Sequence, residues 1–217
     1  TAVLKPSEVA PATAAAIAEQ LPRYMDGRVA QVVTGGVPET TELLAHRFDH
    51  IFYTGNGTVG RIVMQAAAAH LTPVTLELGG KSPAIVTESA DVEVSARRIA
   101  WGKFVNAGQT CVAPDYVLVD VAVHDRFVDG LRKAVRSFYG GDPASSGDYG
   151  RIVNSKHHAR LTALLDLGGF EEIALGGDAI ARVRRRQLSS SSEGVAPLSL
   201  TRMWPPWSSA AWMSSGA

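Results

Sequence analysis

From residue 2 to residue 138 the chain alternates short apolar runs with longer, often alanine-rich runs of helical character, and most of the joints between them contain glycine or proline. This alternation is the strongest constraint on the fold. Parallel strands can be joined only by a crossover of a dozen or more residues, usually a helix, so repeated strand and helix units indicate an α/β architecture with a mainly parallel sheet. Ala2-Val3-Leu4 reads as a strand end. Ser7 or a neighbour can cap a helix that runs to about Gln20, and residues 28–33 form a second strand bounded by Gly35 and Gly36. A helix over 38–46, a short strand over 50–53 and an Ala-rich helix over 59–70, ending before Pro73, repeat the unit. Beyond Pro73 the rhythm changes: extended segments over 74–78 and 84–86, a helix over 92–106, a strand over 116–120 and a helix over 124–138.

Composition fits a chain able to bury one sizeable core or parts of two: 217 residues, 46% hydrophobic and 19% charged, with a formal net charge of +0. A balance of that kind argues against a nucleic-acid partner. A single cysteine excludes an intramolecular disulfide framework, which makes a reducing, cytoplasmic compartment the expectation. No run of 18 apolar residues and no basic leader is encoded, so neither a membrane span nor a secretory signal is expected. Thr1 opens directly in an apolar run, and the natural start is expected to lie upstream.

That cysteine is Cys111, in the run Gly108-Gln109-Thr110-Cys111, about thirty residues after Leu76-Glu77-Leu78-Gly79-Gly80-Lys81. A thiol and a carboxylate are the minimum equipment for covalent chemistry on a carbonyl. Taken alone, each has an ordinary reading: a free cysteine is more often a small buried hydrophobe, and an isolated glutamate at a strand end is more often a surface charge. Gly55 to Gly60 is Gly-x-x-x-x-Gly between a strand and a helix, where backbone N–H groups can face a phosphate, although glycine serves many tight turns with no ligand. In Lys5-Pro6-Ser7-Glu8, a lysine and a glutamate at a helix start are most often capping and solvation features. His124, His157 and His158 invite comparison with a Cys/His hydrolase, but His124 begins a polar helix and His157-His158 stand in a basic helix beside Lys156 and Arg160, so a solvated face is the expected account. The histidines also lack metal-site spacing, and no metal is expected. Asn106 reads as loop structure.

Three motifs taken together carry a resemblance. Phe52-Tyr53-Thr54-Gly55-Asn56-Gly57-Thr58-Val59-Gly60, then Thr75-Leu76-Glu77-Leu78-Gly79-Gly80-Lys81-Ser82-Pro83, then Gly108-Gln109-Thr110-Cys111-Val112-Ala113-Pro114-Asp115-Tyr116 resemble the aldehyde dehydrogenase superfamily, and the last wording is most similar to its class 3, fatty and aromatic aldehyde branch. The resemblance runs from Thr1 to about Ala181. It implies a Rossmann-like coenzyme domain joined to an α/β catalytic domain, both incomplete: residues 1–79 and 80–182. It also implies Cys111 as nucleophile and Glu77 as general base, with an aldehyde oxidised through a thiohemiacetal and a thioester. Lys5, Glu8, Gly55, Asn56, Gly60, Leu78 and Gly79 are the implied contacts to NAD, with NADP allowed because a lysine tolerates a 2′-phosphate. The backbone N–H of Cys111 is the implied oxyanion donor. A homodimer is the implied assembly of the complete protein.

Residues 183–217 are different in kind. Arg184-Arg185-Arg186, Ser189 to Ser192 and the tryptophans at 204, 207 and 212 show no helical or alternating period, and an irregular, disordered tail is expected. The resemblance implies a further strand and a Glu-containing Phe-Gly-Pro motif here, so their absence points to a shifted reading frame, an unspliced intron or a mispredicted gene end. It also implies that an oxyanion asparagine lies upstream and a ribose-binding glutamate downstream. The alternative to an aldehyde dehydrogenase is therefore a catalytically dead remnant or interaction module of the same family.

Overall fold

The computed structural model describes residues 1–167 together with Ile173, Leu175 and Gly176. The elements run β1 (Ala2–Leu4), α1 (Pro11–Tyr24), β2 (Ala30–Val32), α2 (Val37–Leu44), β3 (Ile51–Gly55), α3 (Gly57–Ala68), β4 (Val74–Leu78), β5 (Pro83–Val86), α4 (Val92–Phe104), β6 (Tyr116–Val119), α5 (His124–Tyr139) and α6 (Ser155–Asp166). The fold is α/β, as the alternation predicts. The 183–217 stretch lies outside the described residues.

Every strand pair is parallel and belongs to one strand–helix–strand unit: β1 with β2 across α1, β3 with β4 across α3, and β5 with β6 across α4. Among the described residues these are three two-stranded parallel ladders. Each ladder is closed by the crossover inside its own unit, whereas the joins between units, α2 and the 79–82 loop, bring no further strand edge alongside.

Local chemistry sets the helix ends. Asn56 caps α3, its Oδ1 accepting the Val59 N–H at 2.9 Å, and Asp91 caps α4, its Oδ1 accepting the Val94 N–H at 3.1 Å. Ser7 does not cap α1. Its hydroxyl accepts the Val9 N–H at 3.4 Å and its carbonyl accepts the Ala10 N–H at 3.2 Å, so Ser7 makes a turn and the helix starts on Pro11. Proline suits that first position, having the required φ and no N–H to satisfy. The helix also runs past Gln20 and through Pro22 to Tyr24; a proline in the last turn costs few backbone bonds downstream.

Burial is uneven. The main cluster of buried side chains lies between Val86 and Tyr149 and is built on α4, α5 and the β5–β6 ladder. Ala96, Ala100 and Phe104 of α4 meet Phe127, Leu131 and Val135 of α5. The helices pack closely because α5 offers Gly130, where an added Cβ would stand only 2.8 Å from the Cβ of Ala96. In residues 1–79 the buried hydrophobic side chains are only Ala14, Ala30, Val63 and Ala67.

Candidate active site

The carboxyl ends of β3 and β4 lie side by side: Thr54 pairs with Glu77 and Gly55 with Leu78. In parallel α/β units this edge is where loops and helix N-termini gather, and where ligands bind. The Gly55–Asn56–Gly57 turn and the Leu78–Gly79–Gly80 turn leave the ladder together there. Gly60, in the first turn of α3, is buried; a Cβ on it would meet Leu78 Cδ2 at 3.3 Å and Leu76 Cδ1 at 3.5 Å, so its bareness lets the helix lie close on β4. Around Gly57 and Gly79 the space is open: an added Cβ would find only Arg61 Nη1 at 3.9 Å from Gly57 and nothing within 4 Å of Gly79. The Val59 N–H is used by Asn56, whose side chain is thus a helix cap, while Gly57 and Thr58 supply the remaining amides that begin the helix.

At the end of β1, Lys5 Nζ donates to Glu8 Oε2 at 2.8 Å; the lysine side chain is largely covered, the glutamate half exposed. That ammonium holds the Glu8 carboxyl below its ordinary pKa. Beside this pair lies a carboxylate that the sequence reading passed over. Glu39 Oε2 accepts the Gly36 N–H at 2.7 Å. Backbone donors, its own and that of Gly36, hold its carboxyl below the ordinary value, and Lys5 adds to the effect. A Gly-Gly pair ending a strand with Glu three residues on is the signal that could have found it.

Cys111 is exposed, in a turn closed by the Ala113 N–H bonding the Thr110 carbonyl at 3.1 Å. The Glu77 motif meets this turn through its following residues. Ser82 Oγ donates to the Cys111 carbonyl at 3.4 Å, and a Cβ on Gly80 would stand 3.6 Å from the same oxygen. The Asp115 N–H donates to the Ser82 carbonyl at 2.9 Å. The Asp115 carboxylate pairs with Lys81 at 3.0 Å and Lys103 at 3.6 Å, tying both turns to the end of α4. Glu77 is exposed at the end of β4, three residues before Gly80. The structure thus joins the two motifs at the Cys111 backbone, while Lys5 and Glu8 stand at a different strand end.

The histidines divide. His124 Nδ1 bonds Asp125 Oδ1 at 2.8 Å and His157 is exposed. His158 departs from the solvated face expected of α6: it is 8% exposed, and among the described residues its Nε2 has no hydrogen-bond partner. The basic residues that suggested solvation, Lys156 and Arg160, flank it on the exposed side of the same helix.

A sequence model described as the aldehyde dehydrogenase family matches residues 1–188. The dog protein "Aldehyde dehydrogenase, dimeric NADP-preferring" is 52% identical over 182 residues, 84% of this chain and 40% of its own. The mouse protein "Aldehyde dehydrogenase family 3 member A2" is 48% identical over 204 residues, 94% of this chain and 40% of its own. The family resemblance therefore extends beyond Ala181. Among solved structures, the substrate-bound state of Staphylococcus aureus AldH superposes with a TM-score of 0.72 at 51% identity, covering 76% of this chain and 36% of that one. The chain spans about 40% of the length of the curated relatives it matches. On the family match and these identities, with relatives of the family 3 branch among them, the chain belongs to the aldehyde dehydrogenase family.

Proposed function

We propose that the complete protein oxidises an aldehyde to a carboxylic acid with Cys111 as nucleophile and Glu77 as general base. The observation that carries this reading is the contact of Ser82 Oγ and Gly80, which follow Glu77 in one motif, with the carbonyl of Cys111; it supports reading the two motifs as parts of one site. Family membership and the exposure of the thiol support it.

The Cys111 thiolate adds to the aldehyde carbon, forming a C–S bond and an oxyanion that its own backbone N–H can receive. Loss of hydride from that carbon leaves a thioester on Cys111. NAD(P)+, when bound, supplies the hydride acceptor. Glu77 then takes a proton from water, the resulting hydroxide attacks the thioester carbon, and the acid departs as the C–S bond breaks and the thiolate returns. The open space at Gly57 and Gly79, the first-turn amides of α3 and the close seat of Gly60 on β4 fit a dinucleotide. Gly55, Asn56, Gly60, Leu78 and Gly79 would line it, and the Lys5–Glu8 pair would hold ribose hydroxyls. The carboxylate favours NAD, while Lys5 admits NADP, the preference carried in the dog relative's name. Residues 1–79 form the coenzyme half in this reading and 80–182 the catalytic half.

We place the enzyme in the cytoplasm as a homodimer, in line with a relative named dimeric. Among the described residues no helix is long and apolar enough to cross a membrane.

The test is a chimera in which residues 1–182 replace the matching segment of the dog relative. Followed by reduced-cofactor absorbance with an aromatic or long-chain aldehyde, Cys111→Ser should abolish turnover. Glu77→Gln should keep a first-turnover burst and slow the steady state. Turnover that survives Cys111→Ser overturns the reading, and equal loss in burst and steady state reassigns Glu77 to activating the thiol.

A further inference from the structure

The turn that presents the thiol is built from backbone that does not hold itself. Asn106 (φ 52°) and Ala107 (φ 54°) are consecutive non-glycine residues in the left-handed region, followed by Gly108 at φ 78°. Such residues persist only where their surroundings impose the conformation. Locally, the Asn106 Nδ2 donates to the Gln109 carbonyl at 3.1 Å and the Gln109 N–H to the Asn106 carbonyl at 3.2 Å.

The remaining constraint comes from far along the chain. Gln109 Nε2 donates to the Asn106 carbonyl at 2.9 Å and to the Arg151 carbonyl at 3.0 Å, and its Oε1 accepts the Val153 N–H at 2.9 Å. One amide thus joins the turn to a segment more than 40 residues away. That segment is itself fixed: the Arg151 guanidinium donates to the carbonyls of Ala144 at 2.7 Å, Tyr149 at 2.5 Å and Gly150 at 3.2 Å. Gly150 lies directly against the left-handed pair, an added Cβ standing 3.2 Å from Ala107 N and 3.3 Å from the Asn106 carbonyl carbon.

We propose that Gln109 is a positioning residue for Cys111, its amide latching the strained 106–108 turn onto the Arg151–Val153 backbone so that the thiol two residues on is held in one place. The proposal rests on the reading of Cys111 as nucleophile for its consequence, not for its geometry. It binds no substrate; it acts through the turn.

Hydrogen–deuterium exchange on the 217-residue chain reads the latch whatever the chemistry of Cys111. Gln109→Ala should raise exchange in peptides covering 105–113 and 150–154 about 10- to 100-fold, as expected for loss of several partly buried hydrogen bonds, with α4 and α5 unchanged. Gln109→Glu keeps the length and the acceptor but loses both donors, so it should match alanine at pH 7. Relative to wild type it should recover in part near pH 4, where protonation returns one donor. Gly150→Ala, which leaves every Gln109 bond in place, should loosen 105–113 by pressing on its backbone. In the chimera, Gln109→Ala should lower kcat about tenfold or more with KM for the cofactor unchanged. Unchanged exchange at 105–113 in Gln109→Ala, or a uniform rise over the whole chain, overturns the latch. A released turn with kcat intact keeps the latch but shows that thiol placement does not depend on it, which overturns the positioning role. The separate failure of the nucleophile reading shows in Cys111→Ser.

Discussion

Gly130→Ala tests the close crossing of α4 and α5. Two effects of opposite sign compete at this position. Alanine is the better helix residue by roughly 1 kcal/mol. Against this, its Cβ would stand 2.8 Å from the Cβ of Ala96, which is 0% exposed, where carbon atoms need about 3.5 to 4.0 Å. Neither atom is the end of a flexible side chain, so the helices themselves must part, and overpacking of this kind costs about 1–3 kcal/mol. The steric term wins by about 1 kcal/mol, or roughly 2–4 °C in Tm for a chain of this size. Urea denaturation followed by far-UV circular dichroism measures it. The pair Gly130→Ala with Ala96→Gly makes the origin explicit: removing the Ala96 methyl relieves the clash, so the double variant should be more stable than the sum of the two singles by about 1–2 kcal/mol. Additivity within about 0.3 kcal/mol, or a stabilised Gly130→Ala, would show that the crossing has slack and that the packing argument is wrong.

Phe127→Ala, at a side chain with no exposure in the same core, should lower stability by about 3–5 kcal/mol in the same assay. Asp91→Ala removes the α4 cap and should cost about 1 kcal/mol, while Asp91→Asn should cost much less, checked by the same urea midpoints. Burial pushes the Tyr149 hydroxyl up to about 12, with nearby Tyr139 adding to the shift. The folded state therefore favours the neutral phenol, stability from this source is complete below about pH 10 and declines as pH rises toward 12, and Tyr149→Phe should flatten that decline in thermal melts taken across the window. Iodoacetamide should alkylate folded Cys111, an exposed residue and the chain's single thiol, once and at that position alone; mass spectrometry of the time course decides.

The α/β class and most element positions were legible because apolar periodicity and glycine joints are local signals. Asn56 and Asp91 stand where cap residues should, and their helices begin there. Helix α1 differs at both ends from its expected span: Ser7 is of a good capping type, but Pro11 starts the helix, which runs past Gln20 to Tyr24. The histidine pair was read from its neighbours in sequence, and burial of His158 depends on which face of α6 turns inward. Cys111 and Glu77 stood out by motif, yet their link through Ser82 and Gly80 spans about thirty residues and carries no periodic signature. The left-handed backbone at Ala107 was hidden most completely, since alanine gives no hint of such a conformation and the amide that sustains it bonds across more than 40 residues.

The concentration of buried side chains between Val86 and Tyr149 has a kinetic meaning. Its contacts are made by helices and strands adjacent along the chain, so little loop entropy is spent in forming them, and a nucleus of α4 and α5 on the β5–β6 ladder can assemble before the rest. The units holding Lys5 and Gly55 bury few side chains, so their local opening free energies should lie at the low end. A protease acting on the native chain should therefore nick at Arg23, Arg28 or Arg47 while the thiol-bearing half stays whole. Residues 1–79 of such a molecule should sample open forms far more often than the half that holds Cys111.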